Sequence, residues 1–215
     1  MIEHKHKTIS LADQVFEQLE YDILSGKYTR GDLLTESKLG AALGVSRTPI
    51  REALRHLAQE HLIEETAKGS IVIGITEDDL RDIFLLRENI EGLAARRAAE
   101  NDNPEGLAQL KEIVELQAFY LTKRDADKIK EMDNRFHDCI YRLSGSMTFF
   151  DCLKPLHKKV QQYRRAAVEN TSRATASVEE HQAIYEAIAA HDGDLAAQRM
   201  TEHIQNAYRH IARKD

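Results

Sequence analysis

The sequence predicts a mainly α-helical protein of two domains, a winged helix-turn-helix over residues 1–76 and an all-helical antiparallel bundle over residues 77–215. Only 3 prolines and 10 glycines occur among 215 residues, so long stretches are free of helix-breaking residues. Apolar residues also repeat at helical spacing through most of the chain. Two short β-prone runs interrupt this pattern, so the first domain is expected to combine three helices with a two-stranded wing.

The first two helices are indicated by apolar spacing and by the glycines that follow them. Residues 11–25 place apolar side chains at helical intervals, and Gly26 follows as a C-terminal cap. Residues 35–43 form a shorter amphipathic segment, which Thr35 can cap at its start and which Gly44 ends.

The third helix combines an apolar face with a positively charged one. Ser46 can accept a hydrogen bond from a first-turn N–H group and Pro49 is tolerated in that turn, so the helix is expected to begin at Ser46 or Arg47. The packing face consists of Ile50, Leu54 and Leu57. A face about 100° around the helix carries Arg47, Arg51 and Arg55. Two helices that meet at a glycine favour a helix-turn-helix.

Arginine on an exposed helix suits recognition of DNA, because its planar fork can donate two hydrogen bonds to O6 and N7 of guanine in the major groove. The alternative is a solvent-exposed charged face, with Glu52 and Glu60 nearby. Residues 62–73 then contain two β-prone runs around Lys68-Gly69, which predict the hairpin of a wing. An ordinary hairpin with a lysine at its tip is the alternative there.

Two motifs in this region resemble the DNA-binding signature of the GntR family of bacterial transcription regulators. They are Thr35-Glu36-x-x-Leu39 and the run from Gly44 to Leu54. The resemblance implies that Arg47 and Arg51 contact bases or phosphates, that Ser46 and Thr48 bond phosphates, and that Lys68-Gly69 enters the minor groove. Thr35, Ser37 and Lys38 complete the expected DNA contacts, and Ser37-Lys38 stands where some members have an arginine.

The charge distribution constrains how such a protein would bind DNA. The net charge is −6, and residues 1–76 hold 9 basic against 11 acidic residues. Residues 45–59 differ, with three arginines against one glutamate. We therefore expect modest sequence-independent affinity and strong reliance on two half-sites.

Composition also narrows the location and the redox chemistry. No apolar run approaches the roughly 20 residues of a membrane span, and no signal-peptide pattern opens the chain, so a bacterial cytoplasmic protein with no membrane partner is expected. Cys139 and Cys152 lie in no Cys-x-x-Cys arrangement, which favours buried or partly buried free thiols over a disulfide or a zinc-cysteine site.

The second domain is patterned as helix almost throughout. Thr76 can cap a helix whose first turn is acidic, which marks the domain boundary. Further helices are predicted at about 104–122, 125–143, 147–169, 177–190 and 194–212. A polar stretch from Asn170 to Ser177 is expected to separate two of them.

Asp133 and His137 are four residues apart on one predicted helix, so their side chains point the same way and can share a metal ion. His181 and His203 could complete the site if their helices pack against the first. Imidazole nitrogens with one carboxylate oxygen suit Zn²⁺, Ni²⁺ or a similar divalent ion. Taken singly, each histidine is more often a surface or hydrogen-bonded core residue than a metal ligand.

The C-terminal two-thirds of the chain resembles the FCD ligand-binding domain of the FadR subfamily. The motifs are Leu86-Arg87-x-x-Ile90-Glu91, Asp133-x-x-Phe136-His137, Glu180-His181-x-x-Ile184 and Ala197-x-x-Met200-x-x-His203. This resemblance implies that Asp133, His137, His181 and His203 hold a metal ion inside the bundle and that a small carboxylate effector occupies its remaining positions. Where many members have an asparagine, this chain has Ser146, which can still cap the next helix.

Arg87 is the leading candidate to bind the effector carboxylate, because a guanidinium matches a carboxylate with two hydrogen bonds. The alternative is an ion pair with Glu91, one helical turn away. Arg164 and Arg165 are weaker candidates. The remaining histidines have no partner in the spacing or in the family pattern and are expected to be surface or structural residues: His4, His6, His56, His61, His157, His191 and His210.

These observations predict a homodimeric transcriptional regulator, a repressor by the commoner mode of the family, that binds a pseudo-palindromic operator in double-stranded DNA. A small organic acid at the metal would control it. Two alternatives are a metal-dependent enzyme acting on small organic acids and a sensor of the metal ion itself. No nucleophile elbow, phosphate loop or HExxH motif is present, so we expect no enzymatic activity.

Overall fold

The computed structural model describes residues 10–165 and 171–212, with side chains for residues 10–160 and 173–212. The chain divides into two compact units, of which the first ends at Thr76 and the second begins at Glu77. The first unit contains the elements α1 (Leu11–Leu24), β1 (Leu33–Leu34), α2 (Glu36–Leu43), α3 (Arg47–Gln59), β2 (Ile63–Thr66) and β3 (Gly69–Val72). The mainly helical fold class is confirmed.

The helix-turn-helix of the first unit begins and ends where its local sequence requires. Thr35 precedes α2 and its side chain accepts a hydrogen bond from the Lys38 amide, while Gly44 ends the helix in the left-handed conformation with φ +67°. Ser46 stands before α3 as predicted, but its hydroxyl makes no capping hydrogen bond, so that part of the expectation is wrong. The three helices share a core with the sheet, formed by residues such as Leu19, Leu39, Ile50, Leu57 and Val72.

The wing is a three-stranded antiparallel sheet in the order β1-β3-β2, one strand more than predicted. The added strand is only two residues long, too short to leave a periodic pattern in the sequence. Thr66 pairs with Gly69, so the turn between β2 and β3 consists of Ala67 and Lys68. Lys68 therefore lies at the tip, whereas Gly69 already belongs to β3.

Gly69 is required by a close approach of two strands. Its φ of +138° disfavours other residues, and a Cβ there would lie 2.6 Å from the carbonyl oxygen of Leu34. The same Cβ would lie 3.1 Å from Cγ2 of Thr35. The wing thus packs without a side chain against the segment that leads into α2.

The second unit consists, in the part of the chain described, of α4 (Glu77–Glu100), α5 (Pro104–Lys123), α6 (Ala126–Leu143), α7 (Met147–Arg165), α8 (Thr171–Ala189) and α9 (Gly193–Ala212). Helix α4 packs against α6, α7, α8 and α9, and α5 packs against α6 and α8. None of the described helices is long and apolar enough to cross a membrane. The Ser146 hydroxyl accepts a hydrogen bond from the Phe149 amide at 3.2 Å, as expected of a cap for α7.

Two expectations for this unit need correction. Helix α8 begins at Thr171, so residues 171–177 are helical and do not form the predicted polar connection. Arg173 lies two turns before Glu180, and its guanidinium donates two hydrogen bonds to the Glu180 carboxylate, each at 2.8 Å. This pairing stabilises the added turns.

Both cysteines are free thiols, but Cys152 is exposed and only Cys139 is buried. Residues 166–169 of the predicted helix 147–169 lie outside the described residues.

Candidate functional site

Helix α3 has the two faces that its sequence predicts. Ile50 and Leu57 are fully buried in the core and Leu54 is nearly so. On the other face, Arg47, Arg51 and Arg55 are exposed. The structure therefore presents a stripe of three guanidinium groups on the second helix of a helix-turn-helix.

The other predicted DNA contacts lie on the exposed parts of the same unit. Ser46, Thr48, Ser37, Lys38 and Lys68 are exposed. Thr35 is half-buried because it caps α2, and Gly69 is half-buried because it lies against β1. A hydroxyl at Ser46 that does not cap its own helix is available to a phosphate oxygen.

Glu36 is a residue of this surface to which sequence reasoning gave no role. Its carboxylate accepts hydrogen bonds from Arg51, with Nε to Oε1 at 2.8 Å and Nη2 to Oε2 at 3.0 Å. The hydrogen bonds from Arg51 lower the pKa of Glu36, so the carboxylate is charged at neutral pH. The pairing joins the start of α2 to the middle of α3, and a glutamate directly after a capping threonine was the available signal.

The second unit holds a cluster of three buried histidines on three helices. His137 comes from α6, His181 from α8 and His203 from α9, and each is at most 3% exposed. One ring nitrogen of each lies within 4.8 Å of those of the other two. The structure thus brings together three of the four predicted metal ligands, although they come from three different helices.

Each of these histidines points its Nδ1 atom at an oxygen acceptor. The Nδ1 of His137 lies 2.7 Å from Glu91, that of His181 lies 2.9 Å from Gln117, and that of His203 lies 2.7 Å from Glu180. Since these oxygens can only accept, the Nδ1 atoms donate and the Nε2 atoms keep lone pairs. Histidines that bind a metal ion are oriented by this kind of partner.

The Nε2 atoms of His181 and His203 lie 3.3 Å apart. Two nitrogens bound tetrahedrally at about 2.0–2.1 Å to one zinc ion would be separated by about 3.3–3.4 Å. Facing lone pairs repel each other unless a proton or a cation lies between them. Burial lowers the pKa of His203, which disfavours the proton. The geometry and the donor chemistry therefore fit a divalent metal ion.

Asp133 lies at the edge of the cluster. Its Oδ1 is 3.8 Å from Nε2 of His181, and its Oδ2 is 3.8 Å from Nε2 of His157. Its side chain is 13% exposed, more than those of the histidines. The carboxylate is thus close enough to join the three imidazoles after a small side-chain movement.

His157 lies beside this cluster as a buried, hydrogen-bonded residue, although neither the spacing nor the family pattern indicated a partner for it. It is buried, and its ring centre lies 4.4 Å from that of His137. Arg87 donates from Nη2 to its Nδ1 at 3.0 Å, so its proton is on Nε2, which lies 3.1 Å from Oδ1 of Asn134. This tautomer is the reverse of that in the other three rings.

Arg87 makes the ion pair that was the alternative to effector binding. It is buried, and its Nε lies 2.6 Å from Oε1 of Glu91. Burial alone would raise the pKa of Glu91, but the charge of Arg87 and the hydrogen bonds from His137 and Arg87 outweigh it and lower the pKa to about 2. An anionic glutamate therefore bridges Arg87 and His137. The side chains of Arg164 and Arg165, and residues His4 and His6, lie outside the described part of the chain.

A groove of about 270 Å³ lies over this end of the bundle. Its lining includes Glu180 and His203 together with Arg199 and Asn206. Burial would raise the pKa of Glu180, but the hydrogen bonds from His203 and Arg173 lower it to about 2. The groove therefore reaches His203 and the charged carboxylate that orients it.

Two family profiles match the chain and together cover most of it. The profile described as bacterial regulatory proteins, gntR family, matches residues 11–73, and that of the FCD domain matches residues 82–206.

Curated relatives and a solved structure agree with these matches. The HTH-type transcriptional repressor RspR of Escherichia coli K12 is 28% identical over 89% of this chain and 85% of its own length. The gluconate operon transcriptional repressor of Bacillus licheniformis is 34% identical over 65% of this chain and 58% of its own length. The structure of E. coli McbR/YncC superposes with a TM-score of 0.78 at 25% identity, covering 96% of this chain and 99% of that one.

Proposed function

The chain belongs to the gntR family of bacterial transcriptional regulators and carries an FCD domain, and from that premise we propose that it is an effector-controlled repressor with a metal site in its FCD domain. The observation that carries the metal site is the arrangement of His137, His181 and His203, whose Nδ1 atoms are all bound by acceptors. The relatives named as repressors support the direction of control.

The first unit is proposed as the DNA-binding domain. Helix α3 would enter the major groove with Arg47 and Arg51 toward the base edges, while Ser46 and Thr48 meet phosphates. Thr35, Ser37 and Lys38 would contact the backbone beside α2. The wing tip, Lys68 with Gly69 behind it, would lie in the minor groove. This proposal is supported by the exposure of all these residues except the half-buried Thr35 and Gly69, and by the buried opposite face of α3.

The second unit is proposed to hold one divalent ion, zinc or nickel, through His137, His181, His203 and Asp133. Nitrogen and carboxylate ligands in this ratio suit those ions. The bound ion would supply positive charge and open coordination positions for an anion. Glu91, Gln117 and Glu180 would hold the imidazoles in the orientation and tautomer that binding needs.

The effector is proposed to be a small organic acid bound beside the histidines. Arg87 is held there by Glu91 and His157, so we assign it the positive charge that favours an anionic ligand at this end of the site. An effector changes DNA binding only through a difference in its affinity for two states of the protein. The four proposed ligands come from α6, α8 and α9, so ligand binding can change how these helices pack.

A homodimer is proposed as the active form, because a pseudo-palindromic operator presents two half-sites about one DNA turn apart. Leu85, Leu86 and Leu93 of α4 are 57%, 49% and 50% exposed and lie within a 100° arc of the helix. A second copy of the chain would cover them, since exposed apolar patches of this kind commonly mark interfaces. The proposed location is the bacterial cytoplasm, with no membrane partner.

One experiment tests the proposed roles of both units. The purified full chain is loaded with zinc and used to select duplexes from a random library, and organic acids are then screened for release of the selected duplex. We expect enrichment of an inverted repeat and release by one class of carboxylate. A protein that enriches no sequence would contradict the regulator function. Release by zinc concentration alone, with no effect of any acid, would contradict effector control and favour a metal sensor.

A further inference from the structure

The ion pair between Glu36 and Arg51 lies within the proposed DNA-binding surface. Both oxygens of the carboxylate are engaged, by Nε and by Nη2 of the same guanidinium. The Arg51 side chain is nevertheless 63% exposed. The pair is therefore a two-point contact on an accessible surface. Exposed ion pairs contribute little to folding stability.

The geometry of the pair leaves the far end of the guanidinium available. Arginine has five N–H donors, one on Nε and two on each terminal nitrogen. The contact with Glu36 uses the Nε donor and one Nη2 donor, so both Nη1 donors and one Nη2 donor point away from the carboxylate. Guanine needs two donors for O6 and N7. Arg51 can therefore hold Glu36 and a guanine at the same time.

The two helices fix the position of the carboxylate. Glu36 is the first residue of α2, directly after its capping residue Thr35. Arg51 lies one residue after Ile50, which is fully buried, and Leu39 of α2 is buried in the same core. Because the backbone positions are set by packing, the pair restrains Arg51 before any DNA is present. An arginine that is already ordered loses less side-chain entropy when it binds.

The charge of Glu36 has a second effect. A carboxylate beside the arginine stripe repels DNA phosphates, and the phosphate contacts supply most sequence-independent affinity. The pair therefore weakens binding to any DNA while it keeps Arg51 directed at base edges.

From these contacts we infer that Glu36 is a positioning residue that sets operator discrimination by directing Arg51 end-on at a guanine. This role rests on the proposed DNA-binding function. Glu36 itself touches no base; it acts through the guanidinium of Arg51.

The test compares four full-length proteins: wild type, Glu36→Gln, Arg51→Ala and the double variant. The probes are the consensus duplex that wild type enriches from a random library and a scrambled duplex of the same composition. The discrimination ratio is the scrambled Kd divided by the consensus Kd, measured by fluorescence anisotropy at fixed salt. In Glu36→Gln we expect this ratio to fall about tenfold, because the amide offers only one acceptor. Loss of the charge should tighten binding to both duplexes alike, so the fall should come from the consensus complex, in which Arg51 is no longer directed at its base.

Two comparisons separate positioning from charge and from folding. Glu52→Gln removes one negative charge from an exposed position on α3, so it should tighten both complexes and leave the ratio unchanged. In the Arg51→Ala background, Glu36→Gln should have no effect on the ratio. A full wild-type ratio in Glu36→Gln, or an equal loss with and without Arg51, would overturn the inference. Failure of wild type to enrich any sequence would instead overturn the proposed function, and this role with it.

Discussion

His181 and His203 face each other through Nε2 atoms 3.3 Å apart, while Gln117 and Glu180 accept hydrogen bonds at their Nδ1 atoms. The Nε2 lone pairs of these two buried imidazoles therefore point toward each other. The predictions for the second unit depend on this arrangement, and those for the first unit depend on the arginine stripe of α3.

Removing one of the facing imidazoles should remove bound metal. His181→Ala deletes a lone pair that belongs to the cluster, so we expect the metal content of the purified protein, measured by elemental analysis, to fall well below one ion per chain. His56→Ala, which changes an exposed histidine of the first unit, should retain the wild-type content. Unchanged metal in His181→Ala would remove this residue from the site.

Glu180→Gln tests the orientation of His203. The variant loses the charge that fixes the Nδ1 proton and the fork with Arg173, so we expect metal affinity to fall by about 10–100-fold in competition with a chelator. Glu179→Gln, at the exposed neighbouring position, is the matched control. Equal affinities in the two variants would show that Glu180 does not orient the ligand.

Arg47→Ala should cost about 1–3 kcal/mol of specific DNA binding, because it deletes a base-contacting guanidinium. The selected consensus duplex is the probe, and Arg81→Ala, an exposed arginine of α4, is the control. Circular dichroism should be unchanged in both. Near-normal footprinting by Arg47→Ala would contradict the role assigned to this arginine.

Leu86→Arg places a charge among the exposed leucines of α4, so we expect the proposed homodimer to dissociate in sedimentation velocity. Met147→Arg provides a control at an apolar side chain that is 67% exposed on α7. A dimer that survives Leu86→Arg and Leu93→Arg alike would place the dimer contact on another surface.

The two cysteines should differ in reactivity with a thiol reagent. Burial raises the pKa of Cys139 to about 11, and the thiolate is the reactive form. Between pH 7 and 9, one equivalent of the reagent should react with the native protein, at the exposed Cys152. The second thiol should react only when the protein unfolds. Since the pKa of Cys139 is higher folded than unfolded, its stabilising contribution is complete below pH 9 and is lost as the pH rises toward 11. Two equivalents from native protein at pH 8 would contradict this burial.

The parts of the fold that the sequence predicted are those with local causes. The start of α2 after Thr35 follows from capping, and its end at Gly44 follows from the left-handed conformation of that glycine. The early start of α8 was missed because residues 171–177 are mostly polar and small and show no apolar periodicity. The pairing of Arg173 with Glu180 two turns along the same helix was not considered.

The candidate site was predictable only in part. The spacing of Asp133 and His137 is local, but Glu91 lies 46 residues from His137 and Gln117 lies 64 residues from His181. His157 meets Arg87 across 70 residues. Helix packing determines these pairs, so composition and periodicity cannot indicate them. Glu36 was similarly missed, because its role depends on how α2 crosses α3.

The glycine at position 69 gives the wing a fixed reach. With no side chain between β3 and the Leu34 carbonyl, the strand that follows the lysine at the hairpin tip packs directly against the segment that leads into α2. A methyl group there would push the strands apart and move the tip relative to α3. If the proposed groove contacts hold, the absence of a single carbon atom at this position sets the distance between the wing tip and the recognition helix.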